Sequence, residues 1–214
     1  TRFGFEFTAV PAAFVGSMAH AGTNSLYPAI YHKELNHDLP DYADMGVPHD
    51  QIMLPEILKP RGYHTIHIGK WHLGEAQPLR PTSQGFDESL GLRAGGGRYT
   101  ASSDPGVVDA KLPWDPIDRF LWARMTFEAS YNEGPPFAPG GYLTDYWTDE
   151  SIKVIEANRH QPFFLYPAHW GVHTPLQAKE EKIKKYEQKL KEMNFSGPEY
   201  LTKDGTTKMR QDNA

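Results

Sequence analysis

Twice in this 214-residue chain, apolar residues at helical spacing end at a turn and give way at once to a short apolar strand, and no other feature constrains the fold as much. In the first instance Met53, Leu54, Ile57 and Leu58 carry the helical period within residues 50–59. Asp50 is placed to cap that helix, and Pro55 is set to delay its start or kink it. Pro60 and Gly62 stop the helix, and Tyr63 to Ile68 reads as a strand. In the second instance Thr144 stands at the cap of a helix over residues 144–158, with Tyr146, Trp147, Ile152, Val154 and Ile155 as its apolar face. Asn158 to Gln161 makes the turn, and Pro162 to Ala168 is an unbroken apolar run of the kind buried on both faces of a parallel sheet. Strand alternating with helix predicts an α/β layered sheet with helices on both faces. A further helix over residues 179–193 has only a narrow seam of Ile183, Tyr186, Leu190 and Met193 among Lys and Glu, and reads as a solvated surface helix.

Composition narrows the function classes. Lys and Arg number 22 against 27 Asp and Glu, a formal charge of −5, so no basic excess exists to drive binding to a phosphate backbone and no nucleic-acid partner is expected. No apolar run approaches the length a bilayer requires, so no membrane partner is expected. The cysteine count is 0, which removes disulfides, thiolate metal sites and cysteine nucleophiles from these residues. The chain opens at Thr1 in an aromatic stretch with no signal-peptide pattern and stops at Ala214, and both ends read as cuts through a longer protein. Residues 75–142 are the loosest part, although Trp114, Trp122 and Trp147 predict packing there; residues 93–141 read as a loop-rich insertion near the active face.

In open α/β sheets ligands bind beyond the carboxyl ends of the strands. That places Lys70-Trp71-His72 and the stretch from His169 to His173 at candidate positions. Gly69 lets the backbone turn close to a ligand, and in an extended segment Lys70 and His72 point the same way. A cation beside a titratable imidazole suits an anionic substrate, since one neutralises charge and the other moves a proton. A surface lysine followed by a histidine packed on Trp71 leaves the same pattern, and both readings stand at this level. His169 and His173 are each open between ligand, proton donor and loop residue. His64 and His67 are an odd number apart and face opposite sides of a strand, so they form no simple ligand pair. His20, His32, His37, His49 and His160 have no evident partner in the sequence. A P-loop, a Gly-x-Ser-x-Gly elbow, a His-Glu-x-x-His helix and an EF-hand loop are all absent.

The run Gly62-Tyr-His-Thr-Ile-His-Ile-Gly-Lys-Trp-His72 resembles, position for position, the second signature of the sulfatase family, Gly-Tyr-x-Thr-x-x-Ile-Gly-Lys-Trp-His. Leu54 to Lys59 before it and Gly85-Phe-Asp-Glu-Ser-Leu-Gly91 after it are similar to that family's flanks. Pro162 to Tyr166 followed by His173-Thr-Pro-Leu-Gln177 is similar to its later strand and His-Thr-Pro turn, and Phe3 to Thr8 to the segment following its nucleophile.

The resemblance implies an alkaline-phosphatase-like α/β fold, incomplete here, with residues 1–214 forming part of a sulfatase catalytic domain. It implies an arylsulfatase-like sulfuric ester hydrolase, a hydrolase acting on ester bonds, that uses a formylglycine made from Cys or Ser in Cys-x-Pro-x-Arg beside calcium or magnesium. By the same resemblance Lys70 binds the sulfate and contacts the nucleophile. His72 is catalytic, acting on the formylglycine hydrate to assist sulfate release. His173 binds the ester oxygen and protonates the leaving alcohol.

The chain departs from the family pattern. It lacks Cys, and Ser103-Asp104-Pro105 is not followed by the required Arg. The early paired aspartates are missing, and Asp212-Asn213 precedes Ala214 rather than Gly, so no metal ligand is assigned within these residues. Val172 stands where Pro is frequent, and His169 where Tyr is common. The expectation is that nucleophile and metal acids are encoded outside the chain and that these residues alone are inactive. The expected substrate is a sulfated small molecule or glycan, and the family implies an exported protein (periplasmic, extracellular or lysosomal). A phosphate or phosphonate ester hydrolase of the same superfamily, or a non-catalytic anion-binding relative, are the alternatives.

Overall fold

A computed structural model describes residues 47, 51–92, 96–101 and 104–194. The expected cap Asp50, the Phe3 to Thr8 segment, His20, His32, His37, His49, Gly95, Ser103 and Asp212-Asn213 lie outside the described residues. In chain order the elements are α1 (Leu54–Leu58), β1 (His64–Gly69), β2 (Glu88–Gly91), β3 (Val107–Ala110), α2 (Pro116–Arg124), β4 (Ser130–Tyr131), α3 (Leu143–Asn158), β5 (Phe163–Ala168), β6 (Leu176–Lys179) and α4 (Glu180–Glu192). They divide into two compact units, Thr1–Gly97 with Glu128–Gly171, and Arg98–Phe127 with Val172–Ala214.

The first unit is built on a four-stranded sheet in the order β4-β2-β1-β5. β1 runs parallel to both β2 and β5, while β4 is antiparallel to β2. The mixed α/β class expected from the alternation of helix and strand is the one formed. α1 starts late, as Pro55 requires: the proline occupies the first turn, where its missing N–H leaves no hydrogen bond unmade. Glu56 Oε2 reaches back to accept from the Met53 N–H at 2.7 Å, closing the helix start without Asp50. A 3₁₀ turn at Lys59–Arg61 then ends at Gly62, whose φ of 84° is left-handed.

The parity of β1 sets the two faces of the sheet. On one, His64 Nδ1 meets Asn158 Oδ1 of α3 at 2.8 Å, and Ile66 and Ile68 continue the same side, both buried. On the other, Thr65 and His67 stand in register with Phe164 and Tyr166 of β5. Those rings pack against a core of Val47, Met53, Trp71, Leu73 and Phe86, so the cap of α1 closes the face opposite α3.

Two expectations need correction here. α3 begins at Leu143 with Tyr142 as its N-cap, so Thr144 is already inside the helix. Its buried stripe is Leu143, Trp147, Ser151 and Asn158, leaving Ile152 and Ile155 about half exposed. Ser151 can occupy that stripe because its hydroxyl donates to the Trp147 carbonyl at 2.7 Å, which satisfies the buried oxygen. β5 is half-buried rather than enclosed on both faces, since it forms the edge of the sheet among the described strands.

The second unit contains an antiparallel ribbon of β3 and β6, paired from Val107↔Lys179 to Ala110↔Leu176. Residues 93–141, read as loop-rich, contain β3, α2 and β4. α2 has a sequence signal in Asp115-Pro116: the Asp115 carboxylate accepts from the Ile117 N–H at 2.9 Å, and Pro116 opens the helix. α4 is the solvated helix expected, with Tyr186, Leu190 and Met193 all exposed.

Candidate active site

β1 ends at Gly69, and the backbone there has φ 112°. A Cβ on this residue would lie 2.0 Å from the Ala168 carbonyl oxygen, so only glycine allows the two strands to close at this level. The closure positions the next residue. The Lys70 N–H donates to the same Ala168 carbonyl at 2.7 Å. The Lys70 carbonyl accepts from His67 Nε2 at 3.2 Å. A carbonyl only accepts, so the His67 proton is on Nε2, and Nδ1 accepts from the Ser89 hydroxyl at 2.9 Å. The imidazole is wholly buried, 5.4 Å from the Trp71 ring and 5.8 Å from the Tyr166 ring. Burial lowers its pKa to about 4, partly opposed by the Lys70 carbonyl, so the ring is neutral at ordinary pH.

Trp71 turns into the core, where its indole N–H donates to the Leu79 carbonyl at 2.9 Å. Lys70 is not a surface lysine. Its ammonium lies 4.2 Å from the centre of the Trp170 ring, which is itself only 2% exposed and comes two residues after β5. Burial pulls the Lys70 pKa down to about 8, and the Glu75 carboxylate partly offsets that pull. A histidine packed on Trp71 is His67, whose ring lies edge-on to the indole. His72 follows two residues after Lys70 and is half-buried, while His169 is exposed beside Trp170.

His173 belongs to the second unit, whereas Lys70 and His72 belong to the first. Its carbonyl accepts from the Tyr99 hydroxyl at 3.1 Å, and its Nδ1–H donates to the Thr174 carbonyl at 2.5 Å. In the neutral ring Nε2 is thus the acceptor, and it becomes a donor only on protonation. Gln177 secures the same loop. Its Oε1 accepts from the Tyr99 and Thr100 N–H groups at 2.8 and 3.2 Å, and its amide donates to Asp109 at 2.8 Å. The peptide bond Thr174-Pro175 is cis.

Tyr99 has no place in the sequence reading, His67 enters it only as a rejected ligand partner of His64, and Trp170 and Gln177 lie within candidate runs without a role of their own. The register Gly69↔Ala168 brings the residues after β1 and β5 side by side, which is the signal that would have paired Trp170 with Lys70. Tyr99 and Gln177 are 78 residues apart and carry no comparable signal. Among the described residues no three His, Asp or Glu side chains converge to hold a metal ion, so these residues do not fit the divalent cation of the family and no step is assigned to it. No helix among the described residues is long and apolar enough to cross a membrane.

Comparison with known proteins agrees with the signature around Lys70. An N-acetylgalactosamine-6-sulfatase of Mus musculus is 33% identical over 140 residues, 62% of this chain and 24% of its own length. An uncharacterised sulfatase of Schizosaccharomyces pombe is 34% identical over 155 residues, 71% of this chain and 26% of its own. The chain therefore spans about a quarter of the length of these curated relatives. Among solved structures, Ps i-CgsB in complex with k-i-k-neocarrahexaose superposes with a TM-score of 0.55 at 27% identity, covering 80% of this chain and 38% of that one. The family model Sulfatase matches residues 11–196, and the chain belongs to the sulfatase family.

Proposed function

We propose that the whole protein hydrolyses sulfate esters of carbohydrates and that these residues supply the part of its site that grips the sulfate. The observation that carries the reading is the Lys70 ammonium, desolvated and held 4.2 Å from the Trp170 ring centre directly after the obligatory Gly69. A cation fixed in a poorly hydrated place stabilises a sulfuryl group more than the same cation in water, and most when charge builds on the bridging oxygen as the ester bond breaks. Lys70 neutralises sulfate oxygens. His72, two residues on, moves a proton beside it. His173 meets the bridging oxygen through Nε2 and in its protonated form gives the leaving alcohol its proton.

Sulfatases in general use a formylglycine and a divalent metal. We assign the formylglycine, and calcium or magnesium as the ion, to parts of the whole protein outside the described residues, among which no cluster of metal-binding side chains occurs. We expect the 214 residues by themselves to turn over no sulfate ester, and steady hydrolysis of 4-nitrophenyl sulfate by the purified chain overturns that expectation. A glycan substrate is supported by the names of the relatives, one a sulfatase of N-acetylgalactosamine 6-sulfate and one a protein complexed with a neocarrahexaose. Family resemblance also supports export, which fractionation of cells producing the whole protein tests.

The activity test is the whole protein on 4-nitrophenyl sulfate and N-acetylgalactosamine 6-sulfate against 4-nitrophenyl phosphate. Sulfate release that exceeds phosphate release by at least tenfold is expected. Preference for the phosphate ester, or no turnover of either, overturns the reading.

A further inference from the structure

Lys70 presents a physical problem that the sulfate-binding role does not solve. A lysine side chain has four rotatable bonds, and immobilising it costs conformational entropy. A lysine expected to meet an anion has to be in place beforehand, or that cost is charged against binding. The backbone of Lys70 is fixed at both ends, by the Ala168 carbonyl on its N–H and His67 Nε2 on its carbonyl. Those bonds fix where the side chain starts, not where it ends. At the far end the ammonium meets an aromatic face: Nζ lies 4.2 Å from the Trp170 ring centre. That is well inside the distance at which a ring quadrupole attracts an ammonium, and indole is the strongest of the aromatic partners. Trp170 is able to act as a fixed surface because it is itself 2% exposed and lies two residues after β5, the strand that pairs with β1 through to Gly69↔Ala168.

We propose that Trp170 is a positioning residue for Lys70, its indole face holding the ammonium in one place before any anion arrives. The inference rests on the sulfate-binding role of Lys70 and adds the group that makes the lysine ready for it. The indole is an uncharged partner. Glu75 acts on the ammonium through its charge, but a carboxylate in direct contact would compete with sulfate for it, whereas a ring face satisfies the cation and leaves its positive charge available.

Two measurements on the whole protein test this. The first is the chemical shift of the Lys70 ε-methylene protons, which a ring at this distance moves upfield. The second is the inhibition constant of inorganic sulfate. In the native protein the methylene is expected upfield of ordinary lysine. In Trp170→Leu the upfield shift is lost and the sulfate constant rises at least fivefold, while Trp170→Phe retains a partial shift and binds within about twofold of native. A native methylene at the ordinary lysine position overturns the proposal, and so does a Trp170→Leu protein that folds and binds sulfate as tightly as native. An upfield methylene in a native protein that binds no sulfate upholds the Lys70–Trp170 pairing and overturns the sulfate role instead. Should Trp170→Leu fail to fold, the native shift and the Phe variant still decide.

Discussion

Gly69 and Ala168 approach so closely that a Cβ on residue 69 would lie 2.0 Å from the Ala168 carbonyl oxygen. The same oxygen accepts the Lys70 N–H at 2.7 Å, so the contact closing β1 onto β5 also fixes the root of the lysine proposed to bind sulfate. Gly69→Ala must either push the strands apart or rotate φ away from 112°. We expect a loss of more than about 2 kcal/mol of stability in urea unfolding. We also expect weaker sulfate inhibition in whatever fraction folds. Native stability together with native sulfate affinity would remove the steric argument.

His67 gives the fold an acid limit. Its folded pKa of about 4 lies below the ordinary value of 6.5, so the unfolded chain binds the proton first as pH falls. The stability contributed by the neutral ring is complete above about pH 6.5 and is lost progressively down to about pH 4. A shift of that size corresponds to about 3 kcal/mol. Denaturant titrations at several pH values should show this decline in the native chain and a flatter profile in His67→Gln. A native profile as flat as the variant's would mean that the ring is hydrated.

How far this arrangement is readable from the residues depends on whether the cause is local. β1, β5 and α4 are legible because apolar runs, helical period and charge pattern are properties of neighbouring residues. The Lys70–His72 spacing is legible for the same reason. The burial of α3 is not, since Ser151 replaces Ile152 and Ile155 on the inner stripe through a bond to the Trp147 carbonyl that no hydropathy pattern carries. α2 was open to reading, because Asp115-Pro116 is a strong helix start. The company of Lys70 was not, since Trp170 joins it only through the β1–β5 register, 100 residues along the chain.

If Lys70 binds sulfate as proposed, it sets an alkaline limit on that binding and an opposite trend in stability. Its pKa of about 8 means that the free site loses its charge as pH rises through that value, with Glu75 the carboxylate that opposes the loss. The inhibition constant of sulfate on the whole protein should be level below about pH 7 and rise up to tenfold per unit above about pH 8. Lys70→Ala should lower turnover more than tenfold. For stability the sign reverses. Between about pH 8 and 10.5 the unfolded chain holds the lysine proton that the folded one has released, so folding gains with pH. Lys70→Met, which removes the buried charge, should therefore stabilise the chain by about 2 kcal/mol at neutral pH, discounted for partial exposure, with the gain vanishing by pH 10.5. A destabilised Met variant would show that the ammonium is better solvated than its surroundings indicate.

Tyr99 and Gln177 secure the loop of His173 in different ways, and the difference can be measured. Gln177 is 4% exposed and satisfies two backbone N–H groups and the Asp109 carboxylate, so Gln177→Leu leaves several buried groups unpaired at once. Its cost should be about 3 kcal/mol or more, read as a fall in the urea midpoint. Tyr99→Phe removes one hydroxyl donor from the His173 carbonyl and keeps the ring in place, so it should cost only about 1 kcal/mol. In the whole protein the phenylalanine variant should lower kcat on N-acetylgalactosamine 6-sulfate severalfold with little change in KM, because the carbonyl it releases belongs to the residue proposed to protonate the leaving alcohol. The effect should be weaker on 4-nitrophenyl esters, whose leaving group needs little protonation, than on N-acetylgalactosamine 6-sulfate, whose alkoxide needs much. Equal effects on both esters would detach Tyr99 from proton transfer and leave it a structural role alone.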